Sequence, residues 1–204
     1  MADQLYLSLW FPNFRLEALP AALVSVLEQF QLAGGSSRVN AASAYPISWN
    51  ETPVYQRIYE EDEVEESTPR IAVAEATAAL HDDFAYEFEV KWDLWIAETA
   101  GELDPTWRKE QRTARVTGFG PHFDEGAYEQ NGHIRVDFGT DTPFLEDEVE
   151  LDSEGARRVE QNLQTLVIFT KAVERNCGIS SRLLWSDSGE NLAQKLIARL
   201  QRVN

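Results

Sequence analysis

Residues 120–126, Gly-Pro-His-Phe-Asp-Glu-Gly, bring one imidazole and two carboxylates together between glycines. A general base oriented by a carboxylate needs that combination, and loops on a rigid scaffold are where such groups sit, so His122 with Asp124 or Glu125 is the catalytic candidate. In an extended loop His122 and Asp124 point to opposite sides, and a solvated turn between two strands is the plainer use of the same residues. Residues 107–115 hold the chain's one basic stretch, with Arg108, Lys109, Arg112 and Arg115 against Glu110 alone. Arg112 or Arg115 could hold an anionic group, because a guanidinium fork matches carboxylate and phosphate. The commoner role of such a stretch is to neutralise an acidic run of the same molecule.

Other chemistries find less support. His81 ends a helical segment beside Asp82 and Asp83, and His133 opens a strand after Asn131-Gly132. Neither shares a metal-ligand spacing with His122, so no metal and no cofactor is expected. The acidic runs lack the alternating acids and central glycine of a calcium loop. Ser36, Ser37, Ser180 and Ser181 lie outside any Gly-x-Ser-x-Gly elbow. Cys177 is the only cysteine and falls on the apolar side of a helix, where a thiol is a packing group. One cysteine forms no internal disulfide, which points to a reducing compartment and a cytoplasmic location. Residues 1–13 lack the basic start of a signal peptide.

The 204 residues carry a formal charge of −17, concentrated in two runs. Glu60, Glu61, Asp62, Glu63, Glu65 and Glu66 make the first; Glu146, Asp147, Glu148, Glu150, Asp152 and Glu154 make the second, and these twelve acids account for all but −5 of the total. A field of this sign repels phosphate backbones and anionic lipid, so nucleic acid and membrane surfaces are not expected ligands. A basic protein surface is.

Hydrophobic content of 43% with 26% charged residues describes an ordinary folded chain. Leu5, Leu7, Leu9 and Phe11 alternate as in a half-buried strand, and a helix follows to about Gln31. Residues 39–49 and 54–60 read as a hairpin, and Thr68-Pro69 opens a helix running to about Leu80. Phe84, Tyr86, Phe88, Val90, Trp92, Leu94 and Ile96 then fall on every second position, which puts all seven on one face of a long strand. The order strand, helix, strand, strand, helix, strand predicts an α+β fold with a ferredoxin-like split βαβ (βαββαβ) unit over 1–98. Residues 99–204 add strands at 114–119 and 133–138, a long helix opened by Ser153 and closed by Gly178, a short strand at 183–185 and a final helix over 187–203. They are expected to pack on the first unit as one compact domain; no internal sequence repeat stands out, and a degenerate structural copy of the first half is one way to arrange them.

If the apolar faces of the first, third and fourth strands meet the helices, Tyr6, Trp10, Tyr55, Tyr59 and Trp95 share the opposite face and need a cover. The second half, a homodimer partner or a small-molecule pocket would each supply one. The expected function is that of an acidic interaction protein docking a basic partner. The alternative is a small-ligand binder, or an enzyme of hydrolase or isomerase type, with a pocket between the aromatic face and the second half.

Overall fold

Alternating patterns along the chain become seven strands in one sheet. The computed structural model describes residues 2–98, 106–145 and 152–188. The strands are β1 (Gln4–Trp10), β2 (Gly35–Pro46), β3 (Tyr55–Ile58), β4 (Phe84–Glu98), β5 (Thr106–Phe119), β6 (Ile134–Thr140) and β7 (Ser181–Ser186). Their order is β3-β2-β4-β5-β6-β1-β7, and every neighbouring pair is antiparallel. Helix α1 (Leu19–Glu28) joins β1 to β2 and α2 (Pro69–Ala76) joins β3 to β4. Two single turns, α3 (Ala127–Gln130) and α4 (Thr142–Leu145), flank β6, and α5 (Ser153–Asn176) leads to β7.

The α+β class holds, but the pairing departs from the ferredoxin-like expectation. There β1 would sit beside β4, whereas here it lies between β6 and β7 at the far side of the sheet. The parallel pairs and the strands between them are different ones. The strands β3 and β4 run parallel with β2 inserted between them, and β6 and β7 run parallel with β1 inserted. Element order reports neighbours along the chain, while which strands pair is decided by nonlocal packing, and here α1 carries the chain from β1 past three strands to β2. Strands from both sides of residue 98 therefore share one sheet.

The helices cover one face. Leu5, Leu7, Leu9, Phe88, Val90, Trp92, Leu94, Val116 and Val136 point into it and are buried with Leu23, Leu27, Phe30 and Phe169 from the helices. Each large side chain so enclosed stabilises by about 1.5–3 kcal/mol. Trp92 is 1% exposed and packs on Phe30, Phe138 and Phe144. Gly118 has no side chain because α1 lies directly above it: a Cβ there would come within 2.6 Å of Leu19. At the start of α5 the cap is Asp152, which accepts from Gly155 N at 2.7 Å, one residue before the expected Ser153. The other sheet face, the open face, carries Tyr6, Glu87, Glu89, Lys91, Arg115, Thr117 and Arg135. A small cluster of Ala85, Phe119, Phe123 and Ala127 covers one of its ends. The final helix expected over 187–203 falls almost wholly outside the described residues, as do Glu146–Glu150 of the second acidic run.

Candidate docking surface

β3 is the outermost strand beside β2, and its faces are the reverse of those expected from its apolar residues. Tyr55, Arg57 and Tyr59 turn toward α2, while Val54 and Ile58 are 62% and 70% exposed. The reason is Glu75 on α2. Its carboxylate accepts from Tyr55 Oη (3.3 Å), Tyr59 Oη (3.2 Å) and Arg57 Nη1 (2.7 Å), so two phenols and a guanidinium gain a shared charged partner that valine and isoleucine could not use. Burial and then its neighbours push the Tyr59 phenol well above its ordinary range. The guanidinium of Arg57 also lies 4.6 Å from the Tyr59 ring centre. Tyr55 and Tyr59 therefore do not share a face with Tyr6, Trp10 and Trp95.

The first acidic run follows β3 directly, and two arginines hold it, Arg38 through its backbone and Arg57 through the Glu63 carboxylate. Arg38 on β2 donates from Nη1 to the carbonyl of Glu61 (2.9 Å), from Nη2 to that of Glu60 (3.0 Å) and from Nε to Oγ of the buried Ser67 (2.8 Å). Glu63 alone turns inward, accepting from Arg57 (2.9 Å) and from the Glu60 amide (2.9 Å). That amide and then Arg57 hold its carboxyl below the usual carboxylate range. Glu60, Glu61, Asp62, Glu65 and Glu66 remain exposed, with Val64 exposed among them. The result is a fixed rim of five outward carboxylates beside two exposed aliphatic side chains.

Edge geometry adds main-chain groups to this surface. The Tyr59 amide donates to Asn40 O on β2 at 2.9 Å, and alternation then turns the N–H and C=O of Gln56 and Ile58 away from the sheet. Such an edge is a template for another strand unless something blunts it.

The expected catalytic loop has a structural use. Phe123 is fully buried in the cluster over the open face, and the loop is clamped by His122 N to Asp82 O (2.8 Å) and Asp124 N to Ile47 O (2.8 Å). His122 is 72% exposed, and its Nε2 lies 3.8 Å from an Asp82 carboxylate oxygen, not beside Asp124 or Glu125. Arg112 lies eight positions before Gly120 on β5, about 26 Å away along a strand. Among the described residues no group of three or more His, Cys, Asp or Glu side chains is placed to hold a metal ion.

The remaining residues distribute along the sheet. Tyr6 packs at a tilt against Trp185 (4.6 Å between ring centres), and Trp10 ends β1 on the same face. Trp95 lies under the Arg158 guanidinium of α5 at 3.8 Å, so α5 covers it. Arg108 pairs with Glu98 and Glu110, Arg112 with Glu110 and Arg115 with Glu89. The basic stretch thus pairs within β4 and β5, not with residues 60–66. Arg38, Arg57 and Glu75 were not legible as functional residues. An isolated arginine in a strand gives no sign of which loop it will hold.

Among the described residues no helix is long and apolar enough to cross a membrane. Comparison with protein-family models, with curated proteins and with solved structures finds no match.

Proposed function

We propose that this protein is an interaction module that docks a basic protein partner through β3 and the acidic loop 60–66. The observation that carries this reading is the way the loop is held: its anchoring bonds go to main-chain carbonyls and to Glu63, which leaves five carboxylates presented in a fixed arrangement. A loop used only for solubility has no need of such anchoring. Charges arrayed this way steer a basic partner and fix its orientation, and the exposed Val64 within the rim, with Ile58 and Val54 along β3, supplies apolar contact. A second copy of this chain is disfavoured at the same edge, because pairing β3 with itself would bring two acidic loops together. The partner is therefore a different, cationic protein.

This reading places the chain in a reducing, cytoplasmic setting. Cys177 is half-buried, and burial pushes its thiol pKa up, which suits a packing group that stays reduced. The test is to neutralise Glu60, Glu61, Asp62, Glu65 and Glu66 together as amides and compare partner affinity with the parent chain. A loss of at least about tenfold that shrinks as salt rises is expected. Unchanged affinity would remove the loop from the interface.

A further inference from the structure

The sheet is split at one end. The β5–β6 ladder stops at Arg115↔Asp137, although β5 continues back to Thr106 and β6 runs on to Thr140. At this point Asp137 Oδ1 accepts from the Gly139 amide at 2.8 Å and Gly139 takes a φ of +81°, so β6 bends away from β5. Beyond the bend β6 keeps its partner on the other side, with Thr140 opposite Gln4 of β1. The gap is a cleft of about 620 Å³ that reaches residues of both sheet faces.

Its walls differ in character. Leu94 and Ile96 of β4, with Phe138 and Pro143, line an apolar side, while Thr113 and Arg112 of β5 line the other. Arg112 pairs with Glu110 Oε2 through Nη2 at 2.7 Å. Glu110 already offsets part of the Arg112 charge, so the site favours a monoanion over a doubly charged phosphate. Leu94 and Phe138 are closed off in the core, so the apolar surface open to the cleft comes from the partly exposed Ile96 and Ala97.

We propose that this cleft binds a small amphipathic carboxylate, its head on the Arg112 fork and its apolar tail against Ile96 and Ala97. The site is independent of the docking loop and stands or falls separately from it. The experiment uses the full chain and three probes of equal tail length: decanoate below its micelle concentration, decan-1-ol and decyl phosphate. Amide chemical shifts and titration calorimetry provide the readout. Decanoate should move amides at 94–97, 111–113 and 138–142 and should bind more tightly than the other two. Arg112→Gln, a change at an exposed side chain, should weaken decanoate at least about tenfold and leave decanol unaffected. Ala97→Trp, which fills the mouth, should weaken both, and the five-amide loop variant should bind decanoate as the parent does. Absence of these shifts at millimolar decanoate would overturn the proposal. So would shifts elsewhere only, or equal decanoate affinity in Arg112→Gln.

Discussion

Arg38 donates to the main-chain carbonyl of Glu61 and makes no ion pair with its carboxylate. The run of like charges is therefore shaped by bonds to its backbone, and the side chains that carry the charge stay outward. With Ser67 Oγ and the Glu60 carbonyl as further acceptors, one guanidinium fixes both ends of the loop.

Removing that guanidinium should release the loop without unfolding the sheet. Arg38→Met keeps the aliphatic stem, and the loss of three partly exposed hydrogen bonds should cost about 1–2 kcal/mol. Amide exchange at residues 60–67 should accelerate while amides of β4 and β5 keep their protection. Uniform acceleration across both regions would mean that Arg38 supports the fold rather than the loop.

Asn162 does for β4 what a neighbouring strand would otherwise do. β2 pairs with β4 only as far as Gly35↔Trp92, and beyond it Asn162 accepts from Trp95 N and donates to Trp95 O, both at 2.8 Å, while also reaching Pro143 O. Asn162→Ala leaves these groups unsatisfied at a buried position and should destabilise by about 2–4 kcal/mol in urea unfolding. Trp95 fluorescence should become more solvent-like. A loss below about 0.5 kcal/mol would contradict this account of the β4 edge.

His133 makes stability depend on pH. Its Nδ1 accepts from Phe11 N at 3.0 Å and its ring stacks on Phe14 and Tyr128, at 4.3 and 4.6 Å between centres. Burial pushes the imidazole pKa below its ordinary 6.5. The unfolded chain then binds the proton first, so the contribution of His133 is complete above about pH 6.5 and is lost as pH falls toward the depressed folded value. Urea midpoints measured from pH 7.5 to 5 should fall more steeply for the parent than for His133→Phe. Parallel curves would exclude this origin.

Glu87 has the opposite sign. Burial on the open face raises its carboxyl pKa above 4.5, an effect that Arg115 partly counters and Glu89 reinforces. The folded state prefers the protonated form, so this contribution is present below pH 4.5 and is lost as pH rises through the folded value. Glu87→Gln should therefore stabilise the protein at pH 7, with an advantage that shrinks toward pH 4.5. A destabilised variant at neutral pH would show that the Arg115 charge governs this position.

Much of the scaffold was legible wherever one pattern had one solution. Seven alternating apolar residues from Phe84 to Ile96 admit only a strand with Trp92 inside, and α5 follows from its three-four spacing. β3 was misread because period two fixes which residues go together but not which set faces the core. Val54 and Ile58 looked like the inner set until Glu75 gave the tyrosines and Arg57 a common partner from another element. Sheet order escaped for a related reason, since neither the pairing of β1 with β6 and β7 nor the split at Gly139 leaves a local mark. The acidic run was plain in the sequence; its anchoring by Arg38 and Arg57 was not, because those bonds span 6 to 29 positions.

The anchored carboxylates of residues 60–66 are proposed to hold a basic partner. The most direct test is to isolate the most abundant protein retained by the full chain, express it, and measure Kd at 50 and 300 mM salt for the parent and for the variant with Glu60, Glu61, Asp62, Glu65 and Glu66 changed to amides. The variant should bind at least about tenfold more weakly at low salt, and its salt dependence should flatten. Equal Kd values with equal salt slopes for the two chains would contradict this role of the loop.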